Sequence, residues 1–279
     1  MPDFRAYAPA ATADAAEIRL GEAESHHLVT VNRCGRGDPV TAFDGRGREW
    51  LCECTDPAKQ SAVLRVKSTR QAPALPAAIT LAQALPKGAT MDEIVRQATE
   101  LGARRIVPLL TERAQVHLDG DRAAKKQEKW LTTAIEAAKQ CGNPWLPEIA
   151  PVQKLDAFLA TIRTPHSPVA TEGGTRSPDG FKARPEAALH LDSYDLKLVA
   201  SLHAGAKPLR QAVAQARAKL GRTPERVLWL VGPEGDFSPA EMTACVLAGC
   251  VPVTLGPLVH RCDTAAVAAL SVLQHELGA

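Results

Sequence analysis

Short apolar runs, each closed by glycine or proline and followed by residues at helical spacing, recur from about residue 78 to the end of the chain. This pattern predicts buried strands alternating with helices, as in an α/β unit built on a parallel sheet. The clearest run, Val227-Leu228-Trp229-Leu230-Val231, leads into Gly232-Pro233-Glu234-Gly235. Ser238, Pro239 and Glu241 then read as a capping box with proline at the first helical position, which predicts a helix over residues 239–248. Gly249 should end that helix in a left-handed cap, and residues 251–255 should return as a buried strand. Residues 256–264 form the next loop, with Asp263 or Thr264 as the cap of a last helix. That helix places Ala266, Val267, Leu270, Leu273 and Leu277 near one face.

Upstream, residues 79–85 and 106–110 read as strands. Between them Thr90 and Glu93 suggest a capping box for a helix that runs through Leu101 and closes at Gly102. A longer helix is expected over residues 121–140, with Trp130, Leu131, Ala134, Ile135 and Ala138 on its apolar side and Lys125, Lys126 and Lys129 in solvent. A strand at residues 196–202 and a helix at 208–220, ended by Gly221, complete the unit. Before residue 72 the period changes: runs at 40–43, 48–54 and 62–66, with a turn at Asp44-Gly45-Arg46-Gly47, read as a small β-barrel. The proline-bearing stretch 71–76 makes a stiff connector, so the chain divides into residues 1–72 and 73–279. Residues 164–186, rich in proline, glycine and polar side chains, read as a mobile insertion, with a lid as the alternative.

With 279 residues, 45% of them hydrophobic, the chain can bury a substantial core. Its net charge of +2 gives no strong field, so contact with nucleic acid has to come from local clusters. The seven cysteines are scattered and unframed, which fits a reducing cytoplasmic setting. Alternation in Trp50-Leu51-Cys52-Glu53-Cys54 places Trp50, Cys52 and Cys54 on one strand face, so these two cysteines read as core and no metal site is expected. Residues 242–260 lack charge, but Gly249, Pro252, Gly256 and Pro257 interrupt them, and no membrane span is expected.

Ligands of open parallel sheets settle beyond the carboxyl ends of the strands, which makes the loops after residues 231 and 255 the candidate site. No Gly-x-Gly-x-x-Gly follows the first strand and no Walker A lysine is present, which argues against dinucleotide and P-loop chemistry. The run from Leu230 to Gly235, followed by Leu255-Gly256-Pro257 and Arg261-x-Asp263-Thr264-Ala265-Ala266, resembles the SPOUT methyltransferases. Within them it is most similar to the RsmE family of 16S ribosomal RNA uridine-N3 methyltransferases. The resemblance extends to His26-His27, Arg33 and Gly37-Asp38, and to Lys87, Glu100-Leu101-Gly102, Pro108, Thr111-Glu112-Arg113 and Gln140-x-Gly142.

The resemblance implies a SPOUT-type parallel sheet with a C-terminal trefoil knot, preceded by a PUA-like RNA-binding β-barrel. It implies S-adenosyl-L-methionine as cofactor, 16S rRNA in the small ribosomal subunit as substrate, and a homodimer. The cofactor would lie among Ser201, Leu202, His203, Leu230, Gly232, Glu234, Gly235, Leu255, Gly256, Val259, His260 and Thr264. Arg261 is the candidate for stabilising negative charge on the target uracil, and Asp263 for accepting a proton, orienting Arg261 or capping the helix. Arg33, Arg36, Lys87 and Arg113 are candidate RNA contacts, with Arg46 and Arg48 near the same turns. Several positions depart from the family pattern: Asp236 replaces a third glycine, Leu258 a basic residue and Cys262 a threonine, while Lys139 and Asn143 replace Glu and Arg. These departures leave two alternatives: an RNA-binding or ribosome-assembly factor with a decayed pocket, or a SPOUT methyltransferase for another RNA.

Overall fold

The computed structural model describes residues 4–114, 120–163, 193–203 and 205–278; the expected insertion at 164–186 lies outside them. The first sheet is built from β1 (Phe4–Tyr7), β2 (Glu17–Arg19), β3 (Pro39–Phe43), β4 (Arg48–Asp56) and β5 (Val63–Gln71). Its order is β1-β3-β4-β5-β2, with β1 parallel to β3 and the other pairs antiparallel. The edge strands β1 and β2 send Ala6 and Ile18 into the same core as Trp50, Cys52, Cys54 and Leu64, so the sheet curls around that core. A short helix α1 (Glu22–His26) continues into a π-helical turn (His27–Val31) and adds Leu28 to it. Trp50, Cys52 and Cys54 do share the inner face, as alternation predicts.

The second sheet comprises β6 (Ala78–Ala84), β7 (Arg105–Leu110), β8 (Glu148–Ile149), β9 (Gln153–Lys154), β10 (Leu196–Ala200), β11 (Lys207–Pro208), β12 (Arg226–Val231) and β13 (Val251–Thr254). Strands run in the order β11-β13-β10-β12-β6-β7-β8, with β9 also on β7, and every pair is parallel. One layer against it contains α2 (Thr90–Glu100), α3 (Gly120–Cys141), α5 (Leu209–Leu220) and α7 (Cys262–Gly278). The other contains α4 (Leu155–Arg163) and α6 (Pro239–Leu247). Along β12 the alternation is visible: Val227, Trp229 and Val231 face the first layer, Leu228 and Leu230 the second. From central β12 the chain passes through α6 to β13 beyond β10, and α7 then returns to lie against α2, β12 and β6. This doubling back is the course expected from the resemblance to the knotted SPOUT methyltransferases, which departs from the usual unthreaded course of protein chains.

Several local expectations need correction. Thr90 is the first helical residue of α2, not its cap; the cap is Ala89 without a side-chain bond, and Glu93 pairs instead with Arg96 at 2.7 Å. Helix α7 starts at Cys262, so Asp263 sits inside its first turn, where Oδ1 accepts from the Thr264 N–H at 2.8 Å and the negative charge favours the helix start. Leu131 is 41% exposed, because the buried stripe of α3 follows Trp130, Ala134, Ala137 and Ala138. The last strand before residue 201 stops at Ala200, and α4 and the short strands β8, β9 and β11 were not legible as periodic runs. The capping box at Ser238 and Glu241 with Pro239 is present, and Gly249 is left-handed at φ 87°.

The two sheets are stitched together by backbone. The turn between β3 and β4 docks on the loop after α3: Gly47 N–H donates to the Pro144 carbonyl and Leu146 N–H to the Gly45 carbonyl, both at 3.0 Å. Gly47 has φ 89°, and a Cβ there would lie 2.3 Å from the Trp145 ring, so only glycine fits. The Arg104 guanidinium covers the other side of this contact, 4.4 Å from the Trp145 ring centroid. Beside it, buried Lys139 reaches Glu24 at 2.9 Å and Glu136 at 2.6 Å, and His27 Nε2 lies 3.2 Å from Glu136. Lys139 and Asn143, both departures from the family pattern, therefore serve the junction: Asn143 donates to the Thr99 carbonyl and accepts from the Trp145 N–H.

Candidate cofactor and RNA site

A cavity of about 320 Å³ opens at the carboxyl ends of β10, β12 and β13. That volume lies within the range of small-molecule sites. Its apolar wall comes from Ala200, Val231, Val253, Leu255 and Ala265, its polar wall from Glu234, Asp236 and His260, and its mouth carries Leu202, Leu258, Val259 and Arg261.

The loop at residues 232–238 is tightly folded. Asp236 adopts φ 59°, a left-handed conformation that asparagine and aspartate tolerate better than most residues, which accounts for an aspartate where the family has glycine. Its N–H bonds to the Pro233 carbonyl at 3.0 Å, and its Oδ1 accepts from the Phe237 N–H at 2.7 Å. Glu234 Oε1 accepts the Lys87 N–H at 2.9 Å, and Arg113 Nη1 donates to the Gly235 carbonyl at 2.9 Å. Glu241, from the capping box, also takes the Glu112 N–H at 2.7 Å. The loops that follow β6 and β7 are thus tied to the loop that follows β12.

Neither Glu234 nor Asp236 forms an ion pair among the described residues. Burial first, and then the charges of Glu234 and Asp263, hold the Cys262 thiol above its ordinary value, which indicates a negative potential at this end of the cavity. An apolar slot with unpaired carboxylates along one wall suits a ligand with a flat apolar body and a positive centre. S-adenosyl-L-methionine has this character, and the residues present fit it.

Of the residues expected to hold cofactor, Ser201, Leu202, Gly232, Glu234, Leu255, Val259 and His260 line the cavity. Ser201 is buried and accepts the His203 N–H through Oγ at 3.2 Å, so His203 shapes the β10 loop from outside the lining. Leu230 points into the opposite layer with Leu228, Gly235 backs onto Arg113, and Gly256 and Thr264 stand beside the lining rather than in it. Sequence reasoning missed Val231, Val253, Thr254 and Ala265; the period of two along β12, applied to Leu230, would have moved the choice to Val231. Arg261 lines the mouth with its side chain 80% exposed, its Nε 3.7 Å from Asp263 Oδ1. Arg33 and Arg36 are exposed on the first domain, Arg33 with φ 61°, and Lys87 and Arg113 are exposed on the loops after β6 and β7. Arg46 lies on the turn that docks against Trp145.

The family model for an RNA methyltransferase domain matches residues 73–274, and that for an RNA methyltransferase PUA domain matches residues 20–67. A ribosomal RNA small subunit methyltransferase E of Synechocystis sp. is 30% identical over 256 residues, 92% of this chain and 72% of that protein. The protein of the same name from Bacillus subtilis is 28% identical over 91% of this chain and 88% of its own length. Among solved structures, a protein of Legionella pneumophila in complex with the bound cofactor SAM is similar at a TM-score of 0.80 and 30% identity, covering 99% of this chain and 98% of that one. The small subunit methyltransferase E of Neisseria gonorrhoeae, solved with S-adenosyl methionine, shares the fold at a TM-score of 0.76 and 24% identity over 98% of both chains.

Proposed function

The chain belongs to the family of ribosomal RNA small subunit methyltransferase E, and on that premise we propose that it methylates N3 of a uridine in 16S rRNA of the small ribosomal subunit. It is an S-adenosyl-L-methionine-dependent rRNA methyltransferase. The observation that carries the reading at this site is the open slot beyond β10, β12 and β13, with unpaired Glu234 and Asp236 on its wall and Arg261 at its mouth. A decayed pocket would be filled by side chains, and this one is not.

The cofactor supplies a methyl group already activated by a positive sulfur, so the chain mainly has to align the acceptor and exclude water. Val231, Val253, Leu255 and Ala265 exclude water from the slot, and Glu234 and Asp236 set a negative potential along it. A uracil N3 must lose its proton to become nucleophilic, which places negative charge on the flanking carbonyl oxygens. The Arg261 guanidinium stabilises that charge, and Asp263 orients it from the first turn of α7. Residues 1–72, with Arg33 and Arg36, act as the RNA-binding module, and Lys87 and Arg113 lie on the same side as the cofactor loop they bond.

Leu202, Leu258 and Val259, at the mouth of the slot, are 63%, 74% and 73% exposed. Apolar side chains at a site that must exclude water call for a cover, and a second copy of this chain supplies it. Among the described residues no helix is long and apolar enough to cross a membrane. A substrate in the small ribosomal subunit would be met in the cytoplasm, which supports a cytoplasmic setting as part of this reading. Reverse transcription over 16S rRNA tests the function, because N3 methylation blocks base pairing. A stop present only in RNA from cells that contain the active chain is expected; identical stops with and without it refute the assignment.

A further inference from the structure

Arg113 was expected, from its place after a strand, to be a phosphate ligand. Its contacts assign it another task. Nη1 donates to the Gly235 carbonyl at 2.9 Å, and the side-chain stem lies so close to Gly235 that an added Cβ would come within 3.3 Å of Arg113 Cβ and 3.6 Å of its Cδ. Gly235 belongs to the same short loop as Gly232, Glu234 and Asp236, which line the slot. Two further bonds hold the same region: the Glu112 N–H, next to Arg113, donates to Glu241 in the first turn of α6, and the Lys87 N–H, from the loop after β6, to Glu234.

We infer that Arg113 is a positioning residue for the cofactor loop, and that through it contact with RNA and affinity for the cofactor are coupled. The inference rests on the rRNA methyltransferase reading. The guanidinium carries donors in a planar fork, and one of them is committed to the Gly235 carbonyl. The side chain is exposed, and among the described residues its remaining donors meet no acceptor, which leaves them available to a phosphate. A phosphate bound there restricts the arginine further and with it the carbonyl it holds; a cofactor that orders the loop in turn presents the arginine in its RNA-binding position. Such coupling is reciprocal by thermodynamic necessity.

The test is equilibrium dialysis of radiolabelled S-adenosylhomocysteine, the cofactor without the methyl group that would be transferred, against the whole protein, first alone and then with unmethylated small ribosomal subunits at saturation. Arg113→Met keeps the apolar stem against Gly235 and removes the donors, and Arg113→Ala removes both. Without RNA, both variants are expected to bind cofactor roughly three- to tenfold more weakly, the span for the net worth of one ordinary hydrogen bond, since exposure to water discounts the arginine's charge. Subunits should tighten cofactor binding to the unsubstituted protein and leave binding to the variants unchanged. Variants that bind cofactor normally without RNA would show Arg113 to be a phosphate ligand only, and overturn the inference. Weakened binding that subunits still tighten to the normal extent would overturn the coupling. Failure of the unsubstituted protein to bind cofactor at all would refute the methyltransferase reading itself, and is recognised because it precedes any substitution.

Discussion

Asp236→Asn separates the two things Asp236 does. Asparagine tolerates the left-handed conformation at φ 59° and keeps an oxygen for the Phe237 N–H, so the loop should hold its shape. Only the charge is lost. One charge pair at about 6 Å, in a half-exposed site with an effective dielectric constant of about 40, is worth about 1.4 kcal/mol, or tenfold in Kd. Isothermal titration should therefore show S-adenosylmethionine binding about tenfold more weakly at low salt, with the difference shrinking as salt is added. S-adenosylhomocysteine, whose sulfur is neutral, provides the control: its affinity should change far less. Equal losses for the two ligands would show that Asp236 acts through loop shape, and the electrostatic reasoning would be wrong.

Arg261→Ala should lower turnover by at least about a hundredfold, as loss of a charge-stabilising group does, while cofactor affinity and melting temperature stay near normal because the side chain is 80% exposed; methyl incorporation into small subunits measures the first and calorimetry the others. Lys139→Met leaves Glu24, only 20% exposed, facing the junction without its cation, and should cost about 2 kcal/mol in urea unfolding, less than a fully buried pair would; an unchanged midpoint would mean that the Gly47 and Trp145 contact carries the junction alone. Burial pushes the thiols of Cys34 and Cys250 up to about 12 and that of Cys52 to about 11, from an ordinary value of 9.0. Folded pKa values above the unfolded one mean stability that is fully present below about pH 9 and lost as the pH climbs toward 11 to 12, so the urea midpoint should fall between pH 8 and pH 10.5 and fall less in Cys250→Ala.

The elements that sequence periodicity located are those long enough for their burial pattern to repeat. Strand β12 and helices α6 and α7 are of this kind, and their glycine and proline punctuation placed the site. Strands of two residues such as β8, β9 and β11 are too short to show a period and exist only because the neighbouring strand offers hydrogen bonds. Lys139 illustrates a second limit. Helical spacing alone puts it near the end of α3 as an ordinary surface charge, and its burial depends on Glu24, which is 115 positions away in the chain. The arginine at position 113 is similar: its exposure was legible, but its bond to Gly235 depends on how the loops after β7 and β12 meet. The knotted course itself came from family resemblance, since no local pattern encodes a threading.

The weak tether of Arg261 is consistent with the role assigned to it. An exposed pair at 3.7 Å contributes under about 1 kcal/mol, so Asp263 biases the guanidinium without holding it. A firmly bonded arginine would have to break that bond before reaching a uracil oxygen, and the cost would appear in the barrier. Here the order lies elsewhere, in the loop that Asp236, Glu234 and Arg113 fix beside the slot, while the arginine proposed to meet the base remains free to turn. On the proposed reading its electrostatic strength rises only when water leaves the mouth, and rRNA together with the proposed second copy over Leu202, Leu258 and Val259 would drive that water out. Replacing Leu202 with Lys should then weaken dimerisation, read by light scattering, and lower turnover in the same proportion as the loss of dimer; turnover that persists in a monomer would break the link between cover and catalysis.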